Sequence, residues 1–118
     1  MPDHLRIREL NDSFRMGRGE GQIVVTPGIA ARNDVWEIVQ QVRKYNSFDS
    51  GNDPYGEGDF GSIEVGGQTI FWKIDYYGKD LASGSPDPAD QSVTTRILTV
   101  MLADWSAGSG EPDAKSVV

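Results

Sequence analysis

Asp53, Asp59 and Asp75, with Lys73 between the last two, are the side chains whose types and spacing best suit chemistry. Two carboxylates in unlike surroundings can divide general acid and base duties, and a lysine can hold an anionic substrate group. On that reading the chain is a small carboxylate- or metal-dependent hydrolytic enzyme. The run Asp49-Ser50-Gly51-Asn52-Asp53-Pro54-Tyr55-Gly56-Glu57-Gly58-Asp59 also alternates acids with turn residues, as a calcium loop does. It fails that test in detail, because an EF-hand loop begun at Asp49 needs glycine where Pro54 stands and glutamate where Phe60 stands. No metal site and no cofactor are assigned. The simpler account has Asn52 and Asp53 making side-chain turns while Lys73 and Asp75 form a strand-surface ion pair, worth about 0.2–1 kcal/mol.

Other chemistries are excluded by missing parts. His4 is the only histidine and there is no cysteine. A Ser-His-Asp arrangement, a histidine-rich or cysteine zinc site, a thiolate nucleophile and a disulfide therefore all lack their residues. There is no Gly-x-x-x-x-Gly-Lys-Ser/Thr loop, and Gly17-Arg18-Gly19-Glu20-Gly21 precedes a predicted strand rather than a helix, so nucleotide binding has no motif to rest on.

Binding is the favoured class, on the distribution of charge. The chain of 118 residues carries a formal charge of −7. Residues 49–90 hold nine acids against Lys73 and Lys79, so that segment accounts for the whole excess. Such a field repels phosphate backbones and attracts a basic protein surface or a cation. Direct nucleic-acid binding is not expected. The expected contact set is Asp49, Asp53, Tyr55, Glu57 and Asp59 from the acidic run, with Phe71, Lys73, Asp75 and Tyr77 from a strand face that mixes aromatics and charges. The expectation is an acidic interaction protein that meets a basic surface on a protein partner, for instance by mimicking the charge of a nucleic acid.

The elements that must position these residues read as follows. Ile7, Leu10 and Phe14 predict a helix over about 3–16, and Gln22–Thr26 a short buried strand stopped by Pro27-Gly28. Asp34 with Glu37 has the form of a capping box, opening a second helix whose face is Val35, Ile38, Val39 and Val42. Gly66-Gly67 predicts a hairpin turn. In that register Ile63, Val65, Ile70, Trp72, Ile74 and Tyr76 point to the core, and Phe60, Phe71, Lys73, Asp75 and Tyr77 point away. Asp87-Pro88-Ala89-Asp90 has the form of a helix start, and Val93, Ile97, Val100 and Met101 then predict a third helix running to Trp105. The order α-β-α-β-β-α predicts an α+β fold, with a small three-stranded, mostly antiparallel sheet and helices packed on one face. Residues 1–105 form a single domain on this reading and 106–118 a disordered tail. No apolar run is long enough to cross a bilayer, no secretory signal is visible, and the lack of cysteine suits a reducing cytoplasm.

Several of these stretches together resemble a known family. They are Leu10-Asn11-Asp12-Ser13-Phe14-Arg15, the run from Asn52 to Gly61, Phe71-Trp72-Lys73-Ile74-Asp75-Tyr76-Tyr77, Ser85-Pro86-Asp87-Pro88-Ala89-Asp90, and Thr95 to Ala103. They are similar to the bacterial family known as domain of unknown function 3768, over about residues 5–105. The resemblance implies small proteins of alphaproteobacterial type, often carried on plasmids or other mobile elements, and it supplies no activity. The family pattern commonly has histidine where this chain has Gly58. A ligand or proton-shuttle role at that position would be impaired here, whereas a binding role survives the change more easily.

Overall fold

Alternating apolar residues either side of Gly66-Gly67 build the hairpin at one edge of the sheet, and the remaining elements assemble against it. The computed structural model describes residues 3–103 and 116–117. In chain order these form α1 (Asp3–Arg15), β1 (Gln22–Val25), α2 (Pro27–Ala30), α3 (Val35–Arg43), β2 (Phe60–Val65), β3 (Gln68–Tyr77), a three-ten turn (Gln91–Val93), β4 (Thr95–Leu102) and β5 (Ser116–Val117). The fold is α+β. The sheet order is β2-β3-β4-β1-β5, with β4 parallel to β1 and the other neighbours antiparallel.

The hairpin has the expected register, Val65 opposite Gln68, Ile63 opposite Ile70 and Gly61 opposite Trp72. Gly66 and Gly67 both take positive φ, +57° and +80°, as a two-residue turn of this hand requires. Trp72 is fully buried while the Lys73 side chain is 46% exposed, so inside and outside fall as predicted. The core lies between one sheet face and all three helices. Ile23, Val25, Ile70, Trp72, Ile74, Leu98 and Val100 of the sheet meet Phe14 of α1, Ile29 of α2, and Ile38, Val39 and Val42 of α3. Burying each such side chain stabilises the fold by about 1.5–3 kcal/mol.

Three expectations are corrected. The sheet is mixed and has four strands plus the two-residue β5, rather than three mostly antiparallel strands. The predicted third helix is the strand β4, which pairs along its length with β3 and along β1. Its apolar run is nearly continuous because residues on both of its faces are buried, Leu98 and Val100 on one and Thr99 and Met101 on the other. That pattern satisfies a helical stripe by accident, whereas the β-branched Thr94, Thr95, Ile97, Thr99 and Val100 fit a strand. The helix-start signal is spent on turns: Asp87 Oδ1 accepts from the Ala89 amide at 3.1 Å and Asp90 Oδ1 from the Ser92 amide at 2.9 Å. Thirdly, α3 begins where expected but Asp34 makes no cap, because Arg32 grips its carboxylate with Nε and Nη2, each at 2.8 Å. As expected, β1 is over by Pro27, which also opens the one-turn α2. The tail expected at 106–118 lies outside the described residues except for Ser116–Val117, whose backbone pairs with Val25 and Val24.

Candidate functional site

Loop 46–59 joins α3 to β2, and its own side chains fold it. Asp49 Oδ1 accepts from the amides of Gly51 (2.8 Å) and Asn52 (3.0 Å), and Asn52 Oδ1 accepts in return from the Asp49 amide at 2.9 Å. Asn52 Nδ2 donates to Ser47 O (3.0 Å) and to the Tyr45 hydroxyl (3.2 Å). The loop is then fixed to α1 through Asp53, whose side chain is only 5% exposed. Its Oδ1 accepts from the Gly58 amide at 3.0 Å and its Oδ2 from Arg8 Nη1 at 3.3 Å. Arg8 also donates through Nε to Asp12 (2.9 Å), which accepts in turn from the buried Arg15. The Arg8 guanidinium lies 4.5 Å from the Phe48 ring centre, and that of Arg15 stands 5.5 and 5.6 Å from Phe48 and Trp72. Between the loop and α1 these side chains leave a cavity of about 370 Å³.

Behind the loop runs a second, buried polar network. Asn11 of α1, fully buried, donates through Nδ2 to Glu57 O (3.0 Å) and the Tyr76 hydroxyl (2.8 Å), and its Oδ1 accepts from Arg96 Nε at 2.7 Å. Tyr76 donates to Glu57 Oε1 at 3.1 Å. Burial holds the Tyr76 hydroxyl well above the phenol range, with Asp59 and Glu57 adding to the effect, so it stays a donor. Arg96 has no carboxylate partner among the described residues: Nη1 donates to Gln91 Oε1 at 3.0 Å and Nη2 to Pro88 O at 2.5 Å, and burial lowers its pKa. Half-buried Asp59 is raised above the usual carboxyl range, first by burial and next by Glu57, with smaller contributions from Asp53 and Asp75.

Residues 25–104 match the family described as Protein of unknown function (DUF3768). The chain belongs to that family. No curated protein and no solved structure matches it. The matched span takes in loop 46–59 and strands β2, β3 and β4 of this DUF3768 member; α1, which supplies Arg8, Asn11 and Arg15, precedes it.

The site residues expected from the sequence fall into two groups. Asp49, Asp53, Tyr55, Glu57 and Asp59 lie on the loop, where Tyr55 is exposed and Asp53 is buried as its anchor. Phe71, Lys73, Asp75 and Tyr77 lie on the sheet face away from the core. There Lys73 Nζ pairs with Asp75 Oδ2 at 3.2 Å, and Phe71 stacks at a tilt on Phe60 with ring centres 5.4 Å apart. Neither α1 nor the loop covers that face, since both pack on the helical side. The catalytic set is divided: Asp53 lines the cavity, while Asp59, Asp75 and Lys73 do not. Sequence reasoning missed Arg8, Asn11, Arg15, Tyr76 and Arg96 as site residues. The signal was available in α1, where Asn11 and Arg15 extend the buried stripe of Ile7 at helical spacing.

Proposed function

We propose that the protein is a non-enzymatic binding module whose acidic middle segment engages a basic surface of a protein partner, taking the place that a nucleic acid's phosphates would hold. The observation that supports this reading is the sorting of ion pairs. Of the six acids in residues 1–48, Glu9, Asp12 and Asp34 are each paired with an arginine, and Asp3, Glu20 and Glu37 form no ion pair among the described residues. Of the nine acids within residues 49–90, Asp53 and Asp75 form ion pairs, and the other seven form none among the described residues. Six of those seven, Asp49, Glu57, Asp59, Asp80, Asp87 and Asp90, lie on loops 46–59 and 78–94. Both loops meet the sheet at one end, where β2 begins, β3 stops and β4 starts. Their negative charge is therefore not cancelled internally and is presented together. The loops keep their shape because these acids accept from backbone amides, as Asp49, Asp80, Asp87 and Asp90 do.

Asparagine at 80, 87 and 90 retains an acceptor oxygen and removes three charges. A partner co-purified from the source cell should bind this triple variant more weakly. Its affinity for the unaltered protein should fall by about tenfold or more as ionic strength rises from about 0.05 to 0.5 M. Capture that is indifferent to salt, or a triple variant that binds unchanged, refutes the reading.

A further inference from the structure

Formal charge around the cavity between loop 46–59 and α1 does not balance. Three of its lining side chains are carboxylates, Asp12, Asp49 and Asp53, and two are guanidiniums, Arg8 and Arg15. The guanidiniums are committed to two of the acids: Arg8 to Asp12 and Asp53, and Arg15 to Asp12. Asp49 is left over. It forms no ion pair among the described residues, and its Oδ1 is occupied by the Gly51 and Asn52 amides while its Oδ2 accepts nothing. One carboxylate oxygen is thus unspent, among the described residues, on a side chain that lines a cavity already holding two neutralised acids.

The walls suit an organic cation. Tyr45 and Phe48, edge to face with centres 4.9 Å apart, both line the cavity; the Phe48 ring already meets the guanidiniums of Arg8 and Arg15, and the two aromatic side chains offer an alkyl stem an apolar wall. Among the described residues no group of three or more histidine or acidic side chains is arranged to hold a metal ion. The loop is set in advance by the reciprocal Asp49–Asn52 bonds and by Asn52 on Tyr45, so little ordering is needed on binding.

We infer that this cavity receives one basic side chain, a lysine ammonium or an arginine guanidinium presented by the protein partner, with Asp49 as its counter-ion and Tyr45 and Phe48 as its walls. The inference rests on the proposed function and adds to it a single anchoring pocket.

The test titrates the full chain with three probes, followed through backbone amide resonances. They are an acetylated and amidated tripeptide with central arginine, its citrulline counterpart, and spermidine. The arginine peptide should shift the amides of Phe48, Gly51 and Asn52, and the citrulline peptide should not. Asp49→Asn keeps the Oδ1 acceptor that folds the loop, so it should weaken the arginine peptide about fivefold without unfolding the protein. Glu37→Gln, on α3 and outside both the cavity lining and the acidic loops, should leave that peptide's affinity unchanged. Equal weakening by both variants, shifts confined to loop 78–94, or citrulline binding as well as arginine overturns the pocket. Tighter binding of spermidine than of the peptide would assign the pocket to a free amine and overturn the side-chain anchor. The two readings fail separately. Salt-sensitive partner binding that survives Asp49→Asn removes the pocket and leaves the charge-mimic reading, whereas salt-insensitive partner binding removes the latter whatever the peptide does.

Discussion

Gly58 sits between Glu57 and Asp59 with φ +64°, in the left-handed region, and its amide donates to the buried Asp53. A Cβ there would come within 2.7 Å of Cδ and Nε of Arg8, the side chain that holds Asp53 from the other side. Gly58→Ala therefore meets two penalties, the left-handed backbone and the displacement of Arg8, and should cost about 1–3 kcal/mol in urea unfolding. In an Arg8→Ala background the second penalty is gone, so the same substitution should cost measurably less; equal costs would contradict the packing described. A bulkier side chain at this position would force Arg8 to reposition, so glycine here and the Arg8–Asp53 pair belong together. Thr99 presents the opposite case. It is 1% exposed on the sheet face away from the helices, and its hydroxyl has no hydrogen-bond partner among the described residues. Thr99→Val replaces the hydroxyl with a methyl of similar size, and should be neutral or stabilise by about 1 kcal/mol in thermal unfolding. A clear loss of stability would show that the hydroxyl has a use.

Loop 46–59 as an element carries a pH dependence through Asp59. Its pKa is raised in the fold, so the ionised form is less favourable there than in the unfolded chain. The stability tied to the protonated form is complete below the ordinary carboxyl range and is lost as pH rises through the raised value. Asp59→Asn keeps a neutral group in place. Melting temperatures between about pH 4 and 7 should then decline less steeply with rising pH than those of the unaltered protein, and the variant should be the more stable of the two at neutral pH. An unchanged slope would mean that Asp59 titrates as it does in the unfolded chain. How far the elements were legible in the sequence follows from how many layers each one faces. The β2–β3 hairpin has one face on the core and one turned away, so a period of two and the Gly66-Gly67 turn gave its register correctly. Strand β4 is central and buried on both faces, so its period is lost and a strong capping signature at Asp87 pointed the wrong way. For the site, the acidic loop was legible from composition. Its attachment to Arg8 and Asn11, and that of Asn11 to Arg96, was not, because those pairings span 45, 46 and 85 residues and no local pattern encodes them.

Across the whole molecule, basic and acidic residues are divided between regions. Residues 1–48 hold seven bases against six acids and pair internally through Arg6, Arg8, Arg15 and Arg32, with Arg8 also reaching Asp53, whereas Asp49, Glu57, Asp59, Asp80, Asp87 and Asp90 of the loops at one end of the sheet form no ion pair among the described residues. No helix among the described residues is long and apolar enough to cross a membrane. The sheet itself is ordered so that the late strand β4 separates the first strand from the hairpin. Without it β1 would have no partner on that side, and β3 would lose eight pairings. The exposed turn before it, closed by Gly78 N on Ser83 O and carrying Leu81 at its tip, is the natural place to sever the chain. Cut there, the larger piece should lack a wedge that only the smaller piece supplies. Each half alone should show little circular dichroism of folded structure, and mixing them should restore it. A protein divided at this turn would then report whether two fused molecules have come together, using reassembly of its own sheet as the signal.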